Sequence, residues 1–165
     1  MRMLTYQRMH FAAADLHELV SDVERYPNFI GPITGMRVTD RRENNGCDIL
    51  QAQARVRYKF VSESFTTRVS SDAVKRVIEV EFVSGPFRKL ENRWQFHDLS
   101  DGSTLVEMSI EAVFKNPVLQ VLLDKNRDRA AVSLVERFRA EAELRYQKTG
   151  DPTHPLTEEI DAIRQ

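Results

Sequence analysis

The stretch Leu105-Val106-Glu107-Met108-Ser109-Ile110-Glu111-Ala112-Val113-Phe114, followed by Asn116-Pro117 and the run from Val118 to Tyr146, decides the fold. In its first ten residues Val106, Met108, Ile110, Ala112 and Phe114 share one face, and Glu107, Ser109 and Glu111 the other. That period of two predicts a strand in a sheet with one wet face. After Pro117 the period becomes helical: Leu119, Leu123, Ala130, Leu134, Phe138 and Ala142 recur at helical spacings, with Leu122, Ala131 and Val135 beside them. Pro117 suits a first helical position and Asn116 a cap. The helix spans nearly thirty residues, about 40 Å at about 1.5 Å per residue, enough to cross a whole sheet.

Working back toward the N-terminus, the alternation repeats. Leu90, Asn92, Trp94 and Phe96 oppose Glu91, Arg93, Gln95 and His97. Ile78, Val80 and Phe82 oppose Glu79 and Glu81, and Leu50, Ala52, Ala54, Val56 and Tyr58 oppose Gln51, Gln53, Arg55, Arg57 and Lys59. Turn residues separate the runs at Asn44-Asn45-Gly46, Ser70-Ser71-Asp72, Ser84-Gly85-Pro86 and Ser100-Asp101-Gly102. Such short spacings predict hairpins, hence an antiparallel meander whose dry face the long helix covers. Before it lie a strand-like start and a short helical stretch, Ala12 to Val20. Gly150, Pro152 and Pro155 end the long helix. The reading is one α+β domain over residues 1–147, with 148–165 as a loosely held tail.

Composition bounds the rest. The chain has 165 residues, 24 Lys+Arg against 25 Asp+Glu, and a net charge of −1, so nothing pulls it globally toward DNA or other nucleic acid or toward an anionic membrane, and only local patches are left open. Its one cysteine, Cys47, makes no intramolecular disulfide and no cysteine zinc site, and suits a reducing, cytoplasmic setting. No stretch approaches the roughly 18 apolar residues of a membrane span, so any membrane contact is expected to be peripheral and transient. His10, His17, His97 and His154 show no metal spacing and read as surface residues. No catalytic constellation is visible, and a binding protein without catalytic or metal residues is expected.

Three motifs carry a resemblance. Ser21-Asp22-Val23-Glu24-Arg25-Tyr26-Pro27-Asn28-Phe29 resembles the DVxxYPxF segment of the coenzyme Q-binding protein and ribosome-association toxin family. Gly85-Pro86-Phe87-Arg88-Lys89-Leu90 with Trp94-Gln95-Phe96 resembles its GPFxxLxxxWxF hairpin, and Glu63-Ser64-Phe65-Thr66-Thr67-Arg68-Val69 its ESFxSxV strand. After Phe29 this chain reads Ile30-Gly31-Pro32-Ile33 where the family usually has a Leu-Pro-Trp-Cys-like stretch. The resemblance implies a helix-grip fold of the START and Bet v 1 type. About seven antiparallel strands curve around the long C-terminal helix, and two short helices follow the first strand. It also implies ubiquinone, or a similar isoprenoid quinone, as bound ligand in support of respiration, with no further cofactor. For other members it implies interference with ribosomal subunit association, and cyclase-like relatives catalyse on this fold.

A helix on a curved sheet encloses either a solid core or a cavity. Ala52, Ala54 and Ala112 on the sheet face Ala130, Ala131 and Ala142 on the helix. Small residues on both layers favour a cavity; the other reading is close helix–sheet approach. The residues expected to line the cavity are Ala52, Ala54, Val56, Phe65, Val80, Phe82, Leu90, Asn92, Trp94, Met108 and Ala112 from the sheet. Ala131, Leu134, Val135 and Phe138 complete it from the helix. Tyr26, Pro27 and Phe29 are expected to join Gly85, Pro86 and Phe87 in a lip at its mouth. Asn92 would donate to a quinone carbonyl and Trp94 stack on the ring, or Asn92 instead bonds nearby backbone. On the wet face Arg55, Arg57, Lys59 and Arg68 would meet ribosomal RNA phosphates, or be neutralised by cross-strand glutamates.

Overall fold

A computed structural model describes residues Met1–Gln165. Strand β1 (Arg2–Met9) is followed by helix α1 (Ala13–Ser21) and a 3-10 helix (Val23–Asn28). The meander comes next: β2 (Ile33–Asn44), β3 (Cys47–Tyr58), β4 (Val61–Asp72), β5 (Val77–Ser84), β6 (Phe87–Asp98) and β7 (Thr104–Phe114). Helix α2 (Pro117–Arg145) and a short α3 (Thr157–Arg164) complete the chain. The sheet order is β1-β7-β6-β5-β4-β3-β2, antiparallel throughout. This is the α+β helix-grip arrangement that the resemblance implies, and its antiparallel meander and long C-terminal helix are those that the alternation and the helical run predict.

Local chemistry explains the joints. The Asn116 side chain accepts from the Val118 amide at 2.8 Å, and Pro117 occupies the first helical turn, where no amide hydrogen is needed. The β2–β3 turn uses Asn45 and Gly46 at positive φ (52° and 81°), the conformation that a tight two-residue hairpin requires.

Register defines two ends of the sheet. The starts of β1, β2, β4 and β6 and the ends of β3, β5 and β7 share one end, from the pairings Arg2 with Glu111, Ile33 with Val56, Tyr58 with Val61, and Phe87 with Phe114. At the opposite end Leu16, Leu19 and Val20 of α1 close over Met9, Ile78, Phe96 and Val106 in one continuous core. The last half of α2 joins that core through Ala131, Val135, Phe138 and Ala142, at steps of four, three and four. No residue from Pro117 to Ala130 is buried. Ala130, expected to face inward, is exposed and Ala131 takes its place; a shift of one residue is about 100° of helical rotation.

The C-terminal segment also differs from expectation. In place of a loosely held tail, 148–165 forms α3 and a dense set of polar contacts. Arg8 pairs with Asp101 at 2.7 Å and donates to the His154 carbonyl at 2.5 Å. Asp101 accepts from the Asp151 amide at 2.8 Å, and Glu159 accepts from the Ser100 amide and hydroxyl at 2.7 Å each.

Candidate functional site

The sequence-derived lining residues separate into two groups. Tyr26, Phe29, Trp94, Met108, Ala131, Val135, Phe138 and Ala52 belong to, or pack on, the closed-end core. Phe138 stands edge-on to Tyr26, Phe29 and Trp94 with ring centroids 5.2–5.3 Å apart. Trp94 stacks on Phe96 and donates its indole N–H to Asn92 Oδ1 at 2.8 Å. Its faces and its polar edge are therefore engaged within the protein, which removes the expected ring-stacking role. The Tyr26 hydroxyl donates to the Val20 carbonyl, and burial raises its pKa. Tyr26 and Phe29 are thus core plugs, with the half-buried Pro27 between them in the 3-10 helix.

Phe87 lies in a different cluster with Leu90 and Ala112, packed by Phe65, Phe82, Phe114 and Leu123. Phe87 and Phe114 stack at 4.5 Å, and Phe65 meets Phe87 edge-on at 5.3 Å. The single lip joining Tyr26, Pro27 and Phe29 to Phe87 does not form, because these residues plug two separate clusters.

Between the clusters the inner face is incompletely covered. β5 is the middle strand of seven, yet Val80 and Phe82 on its dry face are only half-buried. Val56, Phe65, Asn92, Ile110 and, from α2, Leu123 and Leu134 are half-buried as well. Ala54 is buried but belongs to neither cluster. A helix packed tightly along its length would bury this central strip most deeply of all. Helix α2 meets α1 and β7, with Leu123 packed on the Phe87 cluster and Leu134 on the larger core, and the strip of inner face between them stays half-buried.

Three polar side chains stand along this strip. Asn92 Nδ2 donates to the Ser109 carbonyl at 2.8 Å, the backbone bond that the second reading of Asn92 anticipated; its other amide hydrogen is left over. Thr67 is buried and Glu63 half-buried on the inward side of β4. Nothing here pairs a nucleophile with a base, and no group of three His, Cys, Asp or Glu side chains is gathered as a metal ion would need.

A large concavity lies elsewhere. It encloses about 1090 Å³ on the outer face of β5, β6, β7 and β1, bordered by Glu79, Glu81, Glu91, Arg93 and Glu111 over Val80, Phe82, Leu90 and Asn92. No residue of α2 borders it, and its walls are cross-linked. Lys89 meets Glu111 at 3.1 Å, His97 meets Glu107 at 3.1 Å, and Arg93 meets Glu79 at 3.6 Å. The other half of the outer face is different. Arg68 pairs with Glu81 at 3.7 Å, as cross-strand neutralisation predicts, but Arg55, Arg57 and Lys59 have no carboxylate partner.

His17, expected at the surface, is 7% exposed beneath Phe96, and its Nε2 has no hydrogen-bond partner. Burial lowers its pKa. The signal was present in the sequence: Ala13, Leu16, His17 and Val20 share one helical face.

Residues 9–139 match the family described as polyketide cyclase / dehydrase and lipid transport. The chain belongs to that family. Among solved structures, an 18 kDa protein of Caulobacter crescentus is 38% identical with a TM-score of 0.75, over 87% of this chain and 97% of that one. The ribosome association toxin RatA of Escherichia coli is 26% identical over 136 residues, 82% of this chain and 83% of its own. An aromatase/cyclase of a Streptomyces species shares the fold alone, at 17% identity and a TM-score of 0.74 over 88% and 94% of the two chains. In this member of the polyketide cyclase/dehydrase and lipid transport family, the half-buried strip of sheet lies under a half of α2 that has no fully buried residue.

Proposed function

We propose that the protein holds a hydrophobic small molecule in a cleft over that strip, beneath the first half of α2, without transforming it, and that the molecule is an isoprenoid quinone such as ubiquinone, carried in support of respiration. The half-exposed dry face of the central strand carries the reading. Apolar surface at Val80, Phe82, Phe65 and Leu134 is left in reach of solvent where a closed core would have covered it, and a ligand filling the space would gain the burial that the protein forgoes. The leftover Asn92 amide hydrogen gives a carbonyl somewhere to accept. A family that includes lipid transport agrees with this use of the fold. Protein purified from a quinone-making host is expected to release a quinone into organic solvent, identified by mass spectrometry. Added quinone should raise stability by about 2.7 kcal/mol at a hundredfold excess over Kd. No extractable lipid and no stabilisation by any quinone would refute the proposal.

A second reading, action on the ribosome, has its own support in the toxin relatives and in the unpaired Arg55, Arg57 and Lys59. It calls for growth arrest on overproduction and for co-sedimentation with large subunits that weakens steeply with salt, as counterions are released at each phosphate contact. Arg55→Glu with Arg57→Glu should then abolish the association. On the quinone reading neither arrest nor co-sedimentation occurs.

A further inference from the structure

Three segments meet at the open end of the sheet. The β3–β4 hairpin runs five residues beyond the β4–β5 pairing of Thr66 with Ser84 before reaching Val61, an overhang of about 17 Å at about 3.3 Å per residue. It turns through Lys59 at φ 53° and Phe60. The β5–β6 loop packs on the base of this overhang, since a Cβ on Gly85 would come within 2.5 Å of the Phe65 Cβ. The start of α2 is held to the same loop by the Lys115 amide, which donates to the Pro86 carbonyl at 2.8 Å. Hairpin tip, loop and helix start therefore form one rim at the open end of the sheet.

The rim is both apolar and basic. Phe60 is 71% exposed, Val118 64% and Val121 55%, with Tyr58 and Val83 also open to solvent. Arg55, Arg57, Lys59, Arg88 and Lys115 stand exposed among them, and none is ion-paired. Residues 55–62, 83–88 and 113–121 contain no Asp or Glu, although acids outnumber bases in the chain as a whole, 25 to 24. The opposite end carries both signs: Asp48, Asp72, Asp98 and Asp101 stand at its turns beside Arg41, Arg42, Lys75 and Arg76, with Arg76 paired to Asp98 and Arg8 to Asp101.

We propose that this rim docks reversibly on an anionic lipid surface, with Phe60, Val118 and Val121 entering the interface and the five bases meeting the headgroups. Anionic lipid complements the bare basic charge, and side chains at the membrane interface gain from burying their apolar surface. RNA would use the same charge and could stack on Phe60 and Tyr58, but the exposed aliphatic Val118 and Val121 at the helix start are surface that a lipid interface buries and a nucleic acid does not. Docking sets the cleft mouth against the bilayer, so a lipid ligand passes without crossing water. That purpose rests on the ligand-binding reading; the docking itself is measured without any quinone.

The test is flotation with vesicles of phosphatidylcholine alone and of phosphatidylcholine with phosphatidylglycerol. The wild-type protein should float with the mixed vesicles and not the neutral ones, and less so as salt rises. Phe60→Ser should weaken binding about tenfold, the loss expected for one large apolar side chain. Arg57→Glu with Lys59→Glu should abolish it, while Arg42→Glu, an exposed site at the far end of the sheet, should leave it unchanged. Unaltered melting midpoints in all variants exclude misfolding as the cause. Failure of the wild-type protein to float, indifference to Phe60→Ser, or binding to ribosomal RNA in place of vesicles would overturn the proposal. A water-soluble short-tailed quinone, titrated without vesicles, separates the two readings. Docking without quinone binding refutes the ligand, and quinone binding without docking refutes the rim.

Discussion

The two halves of α2 lie in one unbroken helix and do opposite work. From Ala131 onward, Val135, Phe138 and Ala142 sink between Trp94, Tyr26 and Phe29. Before Ala131 the helix offers only half-buried residues to the protein, Leu119, Gln120, Leu122, Leu123 and Asn126, and none that is fully buried. A long helix need not be packed along its length to be stable, and this one is anchored at one end and capped at the other by Asn116. On the ligand-binding proposal, the difference between the halves turns a structural helix into the roof of a cleft.

Truncation should break the comparison most visibly. Phe138→Ala is expected to lose about 3–5 kcal/mol, because the cavity it leaves is walled by rings that cannot collapse. Leu123→Ala, in the lifted half, should lose about 1 kcal/mol or less. Equal losses in chemical denaturation would mean that both halves are core.

Next in size is the fastening of the closed end. Arg8 and Asp101 are both largely buried, and Arg8→Ala would strand the Asp101 carboxylate at a cost of about 3 kcal/mol. Although burial opposes it, the Ser103 hydroxyl, the Asp151 and Ser103 amides and Arg8 hold the Asp101 carboxyl well below the usual carboxylate range. Its stabilisation is therefore complete above the unfolded value of about 3.9 and is lost as pH falls below that. Acid titration should release the C-terminal segment first, seen as proteolytic clipping beyond Tyr146. Clipping that is indifferent to Arg8→Ala would show that the segment is held by something else.

Filling the interior sharpens the comparison. Ala54 lies outside both packed clusters, so Ala54→Leu should change stability by less than about 1 kcal/mol while excluding ligand. Ala112→Leu, inside the cluster of Phe87 and Leu90, should cost about 1–3 kcal/mol through overpacking. Both can be read from melting midpoints with and without quinone, and an Ala54→Leu protein that keeps its ligand would place the ligand elsewhere.

The smallest effect is at His17. Burial depresses its pKa, so the folded state binds fewer protons than the unfolded chain between the two pKa values. Stability should therefore fall as pH drops below about 6.5, and His17→Leu should remove that part of the dependence. An unchanged pH profile in the variant would assign the dependence to other groups.

Most of the architecture was legible because its signals are local. Alternation in Leu105–Phe114, the Asn116-Pro117 cap and the Asn45-Gly46 turn each act over a few residues, and the structure realises all three. The site was less legible, because its residues differ in packing and not in kind. Leu119 and Leu123 look as core-like as Val135 and Phe138, yet only the second pair is buried, through packing against distant residues such as Trp94 and Tyr26. Tyr26 and Phe87 both read as aromatic plugs, yet they serve separate clusters joined by no local pattern. The fastening of the tail depends on Arg8, Asp101, Asp151 and His154, brought together from three distant stretches. No spacing rule could connect them.

Amide hydrogen exchange with and without a short-tailed ubiquinone tests the central claim most directly. Ligand should slow exchange in Val118–Ala130 and in the open-end residues of β4 and β5, from Val61 to Thr67 and Val80 to Ser84. Residues Ala131–Arg145 should exchange alike in both samples. Protection confined to the last half of α2, or none anywhere in the first half, would contradict a ligand cleft beneath a helix anchored at one end.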